Sequence, residues 1–444
     1  MGAKSIVTDN NQEEITNDLP TEVSQDKMAL LKAKMKKQQE QQSMSKVIIK
    51  KERSIKFGVL GTGQAGSRIA EVFYKLGYDS CVVNTASQDL KFIDLPESNK
   101  LLLNYGLGGA AKQLSLGFEA ANSHRNEIRN LIEEKLSDSQ VNILCLSLGG
   151  GSGAGSCEVM IDLLSEQTKP LIVITVLPMD SEDGQTKLNA LETLAKLAKL
   201  TQTKQVHNLI VIDNAKLETI YNQVSQLDFF SVANKAIVEP LDVFNTLSAM
   251  PSHVKALDSM EWAKMLTDGE GLSVYGELTV DSYENETAIA EAVINNLNSN
   301  LLAGGFDLKQ SKYVGVIISA NKNVWAKIPS SSITFAMAMV NEQCGNPNGV
   351  FKGIYTTDSD EDVVKVYSMF CGLSLPESRV EQLKKETKDL SQKIKSKDES
   401  RNLSLKLDTG VEENVSAAQK VKDKIAAKSS AFGKLVSGVV DRRK

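Results

Sequence analysis

The sequence predicts an α/β protein, with a doubly wound parallel sheet joined by a long central helix to a smaller α/β domain with a four-stranded sheet. Three observations carry this. Short, fully apolar runs alternate with helical-period segments from Ile55 to about residue 215, the pattern of buried parallel strands and their crossover helices. One amphipathic stretch, Leu227 to Leu247, follows without a break. Beyond Pro251, four more strand-like runs and two helical ones recur before Pro376.

Composition narrows the chemistry. A chain of 444 residues, 41% hydrophobic and 24% charged, is long enough for two cores and polar ends. A formal net charge of -5 argues against nucleic-acid binding over the whole surface and leaves room for local basic segments. No apolar run approaches the roughly 18 residues of a membrane span, and the N-terminus is too acidic and polar for a signal peptide, so a cytosolic protein is expected. Cys81, Cys145, Cys157, Cys344 and Cys371 show no metal spacing and read as buried, reduced thiols. His124, His207 and His253 lie far apart without an H-E-x-x-H, which leaves zinc chemistry and Ser-His-Asp catalysis little to build on.

Residues 1 to 53 are acidic first and then rich in Lys and Gln, with too few apolar residues at helical spacing to order themselves, and a mobile tail is expected. Ile55 to Leu60 reads as a strand that runs into Gly61-Thr62-Gly63-Gln64-Ala65-Gly66-Ser67-Arg68 and a helix to Leu76. G-x-G-x-x-G between strand and helix is a dinucleotide fingerprint, which calls for an acid about 20 residues on to hold a ribose. The second strand, Ser80 to Val83, ends in Asn84-Thr85 instead, which disfavours an NAD-dependent enzyme.

A second glycine loop, Gly106 to Lys112, leads to a helix expected over Gly117 to Leu136. The third, Gly149-Gly150-Gly151-Ser152-Gly153-Ala154-Gly155-Ser156, lies between an apolar strand (Val141 to Leu148) and a helix (Cys157 to Glu166). Glycine lets backbone N–H groups approach a ligand closely, and the helix that follows points its free N–H groups and positive dipole end at the same place. Such a run is a phosphate cradle. Three glycine loops at strand carboxyl ends suit a triphosphate wrapped from several sides, and the absence of G-x-x-x-x-G-K-[ST] excludes a P-loop.

Strand Leu171 to Leu177, loop Pro178 to Gly184, helix Gln185 to Leu200 and strand Asn208 to Ile212 complete a first domain, 54–225. The central helix belongs to 226–250, and 251–269 contains Asp258-Ser259-Met260-Glu261. The second domain, 270–375, has strands Gly271 to Val280, Tyr313 to Ser319, Gly349 to Tyr355 and Val363 to Met369, with helices Ala288 to Leu301 and Thr334 to Glu342. Val380, Leu383, Leu390 and Ile394 fit a docked helix within 376–397, and a linker follows from 398. Residues 415–444 carry eight Lys/Arg against Asp423 and Asp441, a basic amphipathic end suited to anionic membrane, nucleic acid or an acidic partner. A frayed basic tail is the alternative.

These motifs resemble those of the tubulin/FtsZ superfamily of GTPases. GGGSGAGS at 149–156 is similar to the family's signature loop, with Ser152 in the threonine position; GTGQAGSR at 61–68 resembles its first phosphate loop. VVNTASQDL at 82–90 and GLGGAAK at 106–112 are similar to its second and third loops, and Pro178 to Lys187 followed by NLIVIDN at 208–214 resembles the ribose frame. The Gln-Ala-Gly form of the first loop looks closer to archaeal and to plasmid or phage tubulin-like proteins than to division FtsZ.

The resemblance implies roles residue by residue. Gly63, Gln64, Ala65, Gly66 and Arg68 would line the α/β-phosphates and base, with Asn84 in the second loop; Gly108, Gly109 and Ala110 would face the γ-phosphate. Gly149, Gly150, Gly151, Ser152 and Gly153 would close on the β/γ-phosphates, Asp183 would hold the ribose, and Lys187 stands where FtsZ has an arginine. Asn234 matches the asparagine that reads guanine, although the neighbouring Asp of the family is Lys235 here. Asp258 and Glu261 align with the carboxylates of NxDxxD, which one subunit inserts into the nucleotide site of the next; the asparagine is replaced by Ala256.

The implied protein binds GTP or GDP, with Mg²⁺ held mainly through the phosphates, and hydrolyses GTP as a head-to-tail homopolymer. Its implied task is plasmid or phage DNA positioning, cell shape or division, with an adaptor, DNA or membrane held by the basic tail. A GTP-binding structural filament with little hydrolysis is the rival, since Ala256 and Glu261 depart from NxDxxD. Asp258 and Glu261 could also be an acidic pair that only complements a helix dipole.

Overall fold

The computed structural model describes residues 52–388 apart from 107, 284 and 286. The tail up to residue 51, Leu390 and Ile394, the linker and the basic segment 415–444 lie outside the described residues.

The first half alternates strand and helix: β1 (Phe57–Thr62), α1 (Gly63–Lys75), β2 (Asp79–Asn84), the short α2 (Ser87–Lys91), β3 (Lys100–Leu102), α3 (Leu114–Ser123), α4 (Arg125–Leu136) and β4 (Val141–Ser147). It continues through α5 (Gly151–Ser165), β5 (Leu171–Leu177), α6 (Gly184–Gln202), β6 (Asn208–Asp213) and α7 (Asn214–Ile220). The central helix is α8 (Phe229–Leu247), and α9 (Ser259–Thr267) follows it. The second half holds β7 (Gly271–Val280), α10 (Ala288–Asn295), β8 (Tyr313–Asn321), α11 (Lys322–Trp325), α12 (Ser330–Gln343), β9 (Gly349–Thr357) and β10 (Val364–Leu373). Residues 377–388 form a last helix, α13.

The strands make one sheet in the order β3-β2-β1-β4-β5-β6-β7-β10-β8-β9. The two halves therefore share a sheet, although the sequence reads as two: β6 and β7 pair in parallel through Asn208↔Gly271, Leu209↔Leu272 and Ile210↔Ser273. Every residue of β1, β5 and β6 is buried, as strands covered on both faces require. Alternation divides their side chains between two cores. Leu144 and Leu146 pack with Met160 of α5 and Leu194 of α6, while Ile143 and Cys145 pack with Phe73 of α1 and Ile237 of α8. All five cysteines are buried and free.

Two helices differ from their sequence pattern. The one expected over Gly117 to Leu136 divides at His124, whose backbone leaves the helical region at φ -107 and ψ 24 and whose Nδ1 lies 2.9 Å from the Ala120 carbonyl. The one expected to reach Leu301 loosens into a π-turn at Asn296–Asn300. Asn296 is fully buried, and its amide donates to the Gly276 carbonyl and Ser368 Oγ at 3.3 and 3.2 Å.

Helix α13 is held by ions as well as by Leu383. The guanidinium of Arg379, 6% exposed, lies 3.0 Å from Asp213 Oδ2 and 2.7 Å from Asp180 Oδ1, and it donates to the Pro178 carbonyl at 2.8 Å. Burial pushes the Asp213 carboxyl above its usual range, and Arg379 opposes that shift. Removing the cation leaves a buried carboxylate without its partner, which costs about 3 kcal/mol. Arg379→Ala is therefore expected to unfold at clearly lower denaturant than the parent, as read by circular dichroism, whereas an Ala at the exposed Lys384 leaves the midpoint unchanged.

Candidate functional site

In an open sheet with strand order 3-2-1-4-5-6, ligands bind beyond the strand carboxyl ends where the winding reverses. That point lies between β1 and β4, and the loops leaving both strands open into one cleft of about 730 Å³. Gly63, Gln64, Ala65 and Arg68 line it from α1, Gly109 and Ala110 from the second glycine loop, and Gly149 to Gly153 from the third. Asn234 lines it from α8.

The backbone explains why these loops are glycine-rich. Gly63 has φ +69, and a Cβ on it would lie 2.8 Å from the Gly153 nitrogen, so the starts of α1 and α5 touch only because neither residue has a side chain there. Neither helix has a side-chain cap on its first-turn N–H groups, so both present unpaired donors and a positive dipole end to the cleft. That is an anion site. The other end of the glycine run packs on protein: a Cβ on Gly155 would come within 2.3 Å of the Leu114 carbonyl, so this glycine lets α3 lie against α5.

The remaining expected residues stand elsewhere. Gly66 is a packing position, since a Cβ there would meet the Cys145 carbonyl at 2.0 Å. Asn84 is buried behind the cleft, donating to Asp89 Oδ2 at 3.2 Å and accepting from the Ala86 N–H, and Asp89 lines the cleft in its place. Gly108, with φ +84, turns the second loop without lining the cleft. Asp183 caps α6, accepting from the Thr186 N–H at 3.0 Å, and its other oxygen pairs with Lys112, a cleft residue. Lys187 points away from the cleft to Glu386 Oε2 at 2.8 Å and the Asp180 carbonyl at 2.6 Å.

Asp258 and Glu261 are also apart from the cleft. They form a reciprocal capping box at the start of α9: Glu261 N–H donates to Asp258 Oδ1 at 2.8 Å, and Asp258 N–H donates to Glu261 Oε2 at 3.1 Å. Ser259 Oγ reaches the Ser248 carbonyl at 3.4 Å, which places the pair beside the far end of α8. From Asn234 to Ser248 the helical rise is about 21 Å.

Other residues that brace or line the cleft carry little signal in the sequence. Thr85 Oγ1 bonds Ser152 Oγ at 2.5 Å and its carbonyl accepts from Gly109 N–H, joining the second and third glycine loops. Asn189, 3% exposed, donates to the Lys112 and Gly149 carbonyls at 2.7 and 3.1 Å, which a lone polar residue on the buried face of α6 hints at. Phe230 stands one helical turn before Asn234 on the same face, at the cleft wall, with the Arg68 guanidinium 5.7 Å from its ring centroid. Arg68 and Lys112 are the cations of the cleft lining, and Asp89 and Glu182 its carboxylates.

Lys112, and then the Thr186 N–H, hold the Asp183 carboxyl down at about 2. A lowered folded-state pKa gives stability that is complete above the unfolded value near 4 and is lost as pH falls through the folded value. Asp183→Asn should therefore lose less stability than the parent between about pH 4 and pH 2, measured by acid titration of the circular dichroism.

Residues 40–222 match the Tubulin/FtsZ family, GTPase domain, and residues 243–384 match the C-terminal domain of the tubulin/FtsZ-like protein TubZ-like. The tubulin-like protein TubZ of Bacillus cereus is 26% identical over 353 residues, covering 73% of this chain and 80% of that one. The tubulin-like protein CetZ of Pyrococcus horikoshii is 24% identical over 323 residues, covering 71% and 85%. Among solved structures, a GTPγS-form protofilament of TubZ from Bacillus thuringiensis serovar israelensis superposes with a TM-score of 0.69 at 20% identity, covering 78% of this chain and 95% of that one. A GTPγS-bound protofilament of CetZ2 from Haloferax volcanii gives 0.63 at 20% identity, with 77% and 100% covered. The two matched domains span most of the chain in the family's order, and the chain belongs to the tubulin/FtsZ family.

Proposed function

We propose that this chain binds GTP in the cleft, hydrolyses it, and assembles head to tail, the cleft of one subunit being completed by Asp258 and Glu261 of the next. The observation that carries this is the separation along α8. Uncapped helix starts and Asn234 lie at one end and the acidic pair at the other, too far apart to act on one phosphoryl group within a molecule. A second copy stacked on the cleft removes that distance. A repeating contact of this unlike-surface kind builds a filament when it does not close.

In the proposed chemistry the starts of α1 and α5 take the phosphates and the glycine loop at 106–112 takes the γ-phosphoryl group. Asn234 reads the base edge, and Phe230 beside it offers a stacking face. Lys235 lies off the cleft, on the next face of α8 with Glu239, so it does not replace a base-reading carboxylate. Asp258 and Glu261 orient the attacking water, while backbone N–H groups stabilise charge on the phosphoryl oxygens. Among the described residues no group of three or more acidic, His or Cys residues could hold a metal. Asp89 and Glu182 suit a Mg²⁺ that keeps mostly phosphate and water ligands, and when bound it neutralises phosphate charge.

The surfaces suit the contact. Val254 and Met260, 71% and 77% exposed, flank Asp258, and Leu227, 94% exposed, stands at the cleft mouth. The rival reading, a filament with little hydrolysis, draws on the capping box, which already engages both carboxylates. The division into a GTPase domain to about 225, a central helix and a C-terminal domain from about 270 is part of the proposal, as is action in the cytoplasm on DNA positioning, cell shape or division. No helix among the described residues is long and apolar enough to cross a membrane. Contact with an adaptor, DNA or membrane is assigned to residues 415–444.

Turnover per molecule is expected to rise steeply with protein concentration, and Asp258→Ala to lower it at least about 100-fold while nucleotide affinity stays within about twofold; a rate flat on dilution refutes the assembly-dependent reading. Met260→Asp should raise the critical concentration for filaments in electron microscopy and sedimentation without changing the unfolding midpoint.

A further inference from the structure

We infer that Tyr355 is a positioning residue for the acidic pair, its phenol fixing the backbone from which Asp258 and Glu261 are presented to the neighbouring subunit. This rests on the reading that those two acids complete the next cleft.

Asp258 enters α9 directly after Leu257, and one hydroxyl holds both polar groups of that residue. The Leu257 N–H donates to Tyr355 Oη at 2.9 Å, and the Tyr355 hydroxyl donates to the Leu257 carbonyl at 3.3 Å. Both residues are buried, Leu257 completely. The loop before them lies along β9, where Ile354 N–H donates to the Lys255 carbonyl at 2.8 Å and Ser252 Oγ bonds the Ile354 carbonyl. Position 353 leaves the space: a Cβ on Gly353 would sit 2.4 Å from the Tyr355 ring and 3.2 Å from Leu257 Cβ.

The far side of the capping box is fixed separately. Trp262, one turn on, is fully buried, stacks on Phe244 of α8 at 5.2 Å and donates its indole N–H to Asn245 Oδ1 at 3.2 Å. The two acids therefore sit between a fixed helix and a fixed loop, and at Leu257, the residue before the acids, the loop side is held by one phenol from the second half of the chain. Burial first, and then the Glu261 and Asp258 charges, push the Tyr355 pKa up, so the hydroxyl keeps the proton it donates. Lys255, whose Nζ lies 3.6 Å from Glu261 Oε1, completes the charged surroundings. Without the hydroxyl, Leu257 has two buried backbone groups to satisfy in some other way, and the loop entering Asp258 moves. Catalytic geometry is steeply sensitive to such displacements.

The test uses the full chain and Tyr355→Phe, which removes the hydroxyl and keeps the ring. The expected result is turnover reduced about 10- to 100-fold at saturating GTP, with affinity for a fluorescent GTP analogue and the critical concentration in GTPγS each within about twofold of the parent. Mixing this variant with Asn234→Asp, which has an impaired cleft and an intact acidic loop, should give turnover above the sum of the two alone. Unchanged turnover overturns the inference. A parallel loss of nucleotide affinity, or a mixture that is merely additive, makes Tyr355 a brace for the whole fold and overturns it too. Asp258→Ala is run alongside: full turnover in that variant refutes the trans-acting acids themselves, and the role of Tyr355 falls with them.

Discussion

The backbone contact between Gly63 and Gly153 is the constraint on which the site depends. It brings two helix starts together beyond adjacent strands, and it exists only while both positions lack a Cβ. Everything polar nearby is arranged around that contact. Thr62 spends its hydroxyl on Ser156 inside α5, and Thr85 spends its own on Ser152, so neither is used as a cap. The first-turn donors of α1 and α5 stay free for an anion because the residues able to satisfy them are engaged elsewhere.

The sheet makes this arrangement rigid. Strands β1, β4, β5 and β6 are covered on both faces, so their carboxyl ends cannot shift without moving two cores. The second half joins the same sheet through β7, and the central helix packs on the face it shares with α1 and α9. A buried polar knot secures the lower end of α8. The Asn245 amide pairs with both backbone groups of Ile55 at 2.9 Å, and Arg53 and Tyr78 both meet Asp242 at 2.8 Å. Such a network fixes one arrangement, because each member left unpaired would be costly.

Much of this was legible in the sequence. Fully apolar strands followed by glycine loops are a strong signal, since few other arrangements tolerate either, and strand β7 falls on its expected span. What escaped were features set by distant neighbours. Nothing local separates Gly153, which faces the cleft, from Gly155, which faces α3; the difference is the 3.6-residue turn acting on a run of near-identical residues. Lys187 reads as a cleft cation, and its charge is instead drawn to Glu386, nearly two hundred residues on. The continuity of the sheet was hidden because the pairing of β6 with β7 spans α7, α8 and α9. Asn84 shows the opposite case: it lacks the charge a dinucleotide ribose site calls for, and the structure turns its amide to Asp89.

Arg379 gives the C-terminal region a mechanical meaning. Helix α13 is the last described element, and its Arg379 ties it to Pro178, Asp180 and Asp213, on the loop and strand end that border the cleft. A displacement of α13 therefore reaches this loop directly. A shift of this helix and a ligand in the cleft would thus act on neighbouring parts of one loop, Pro178 being shared by both.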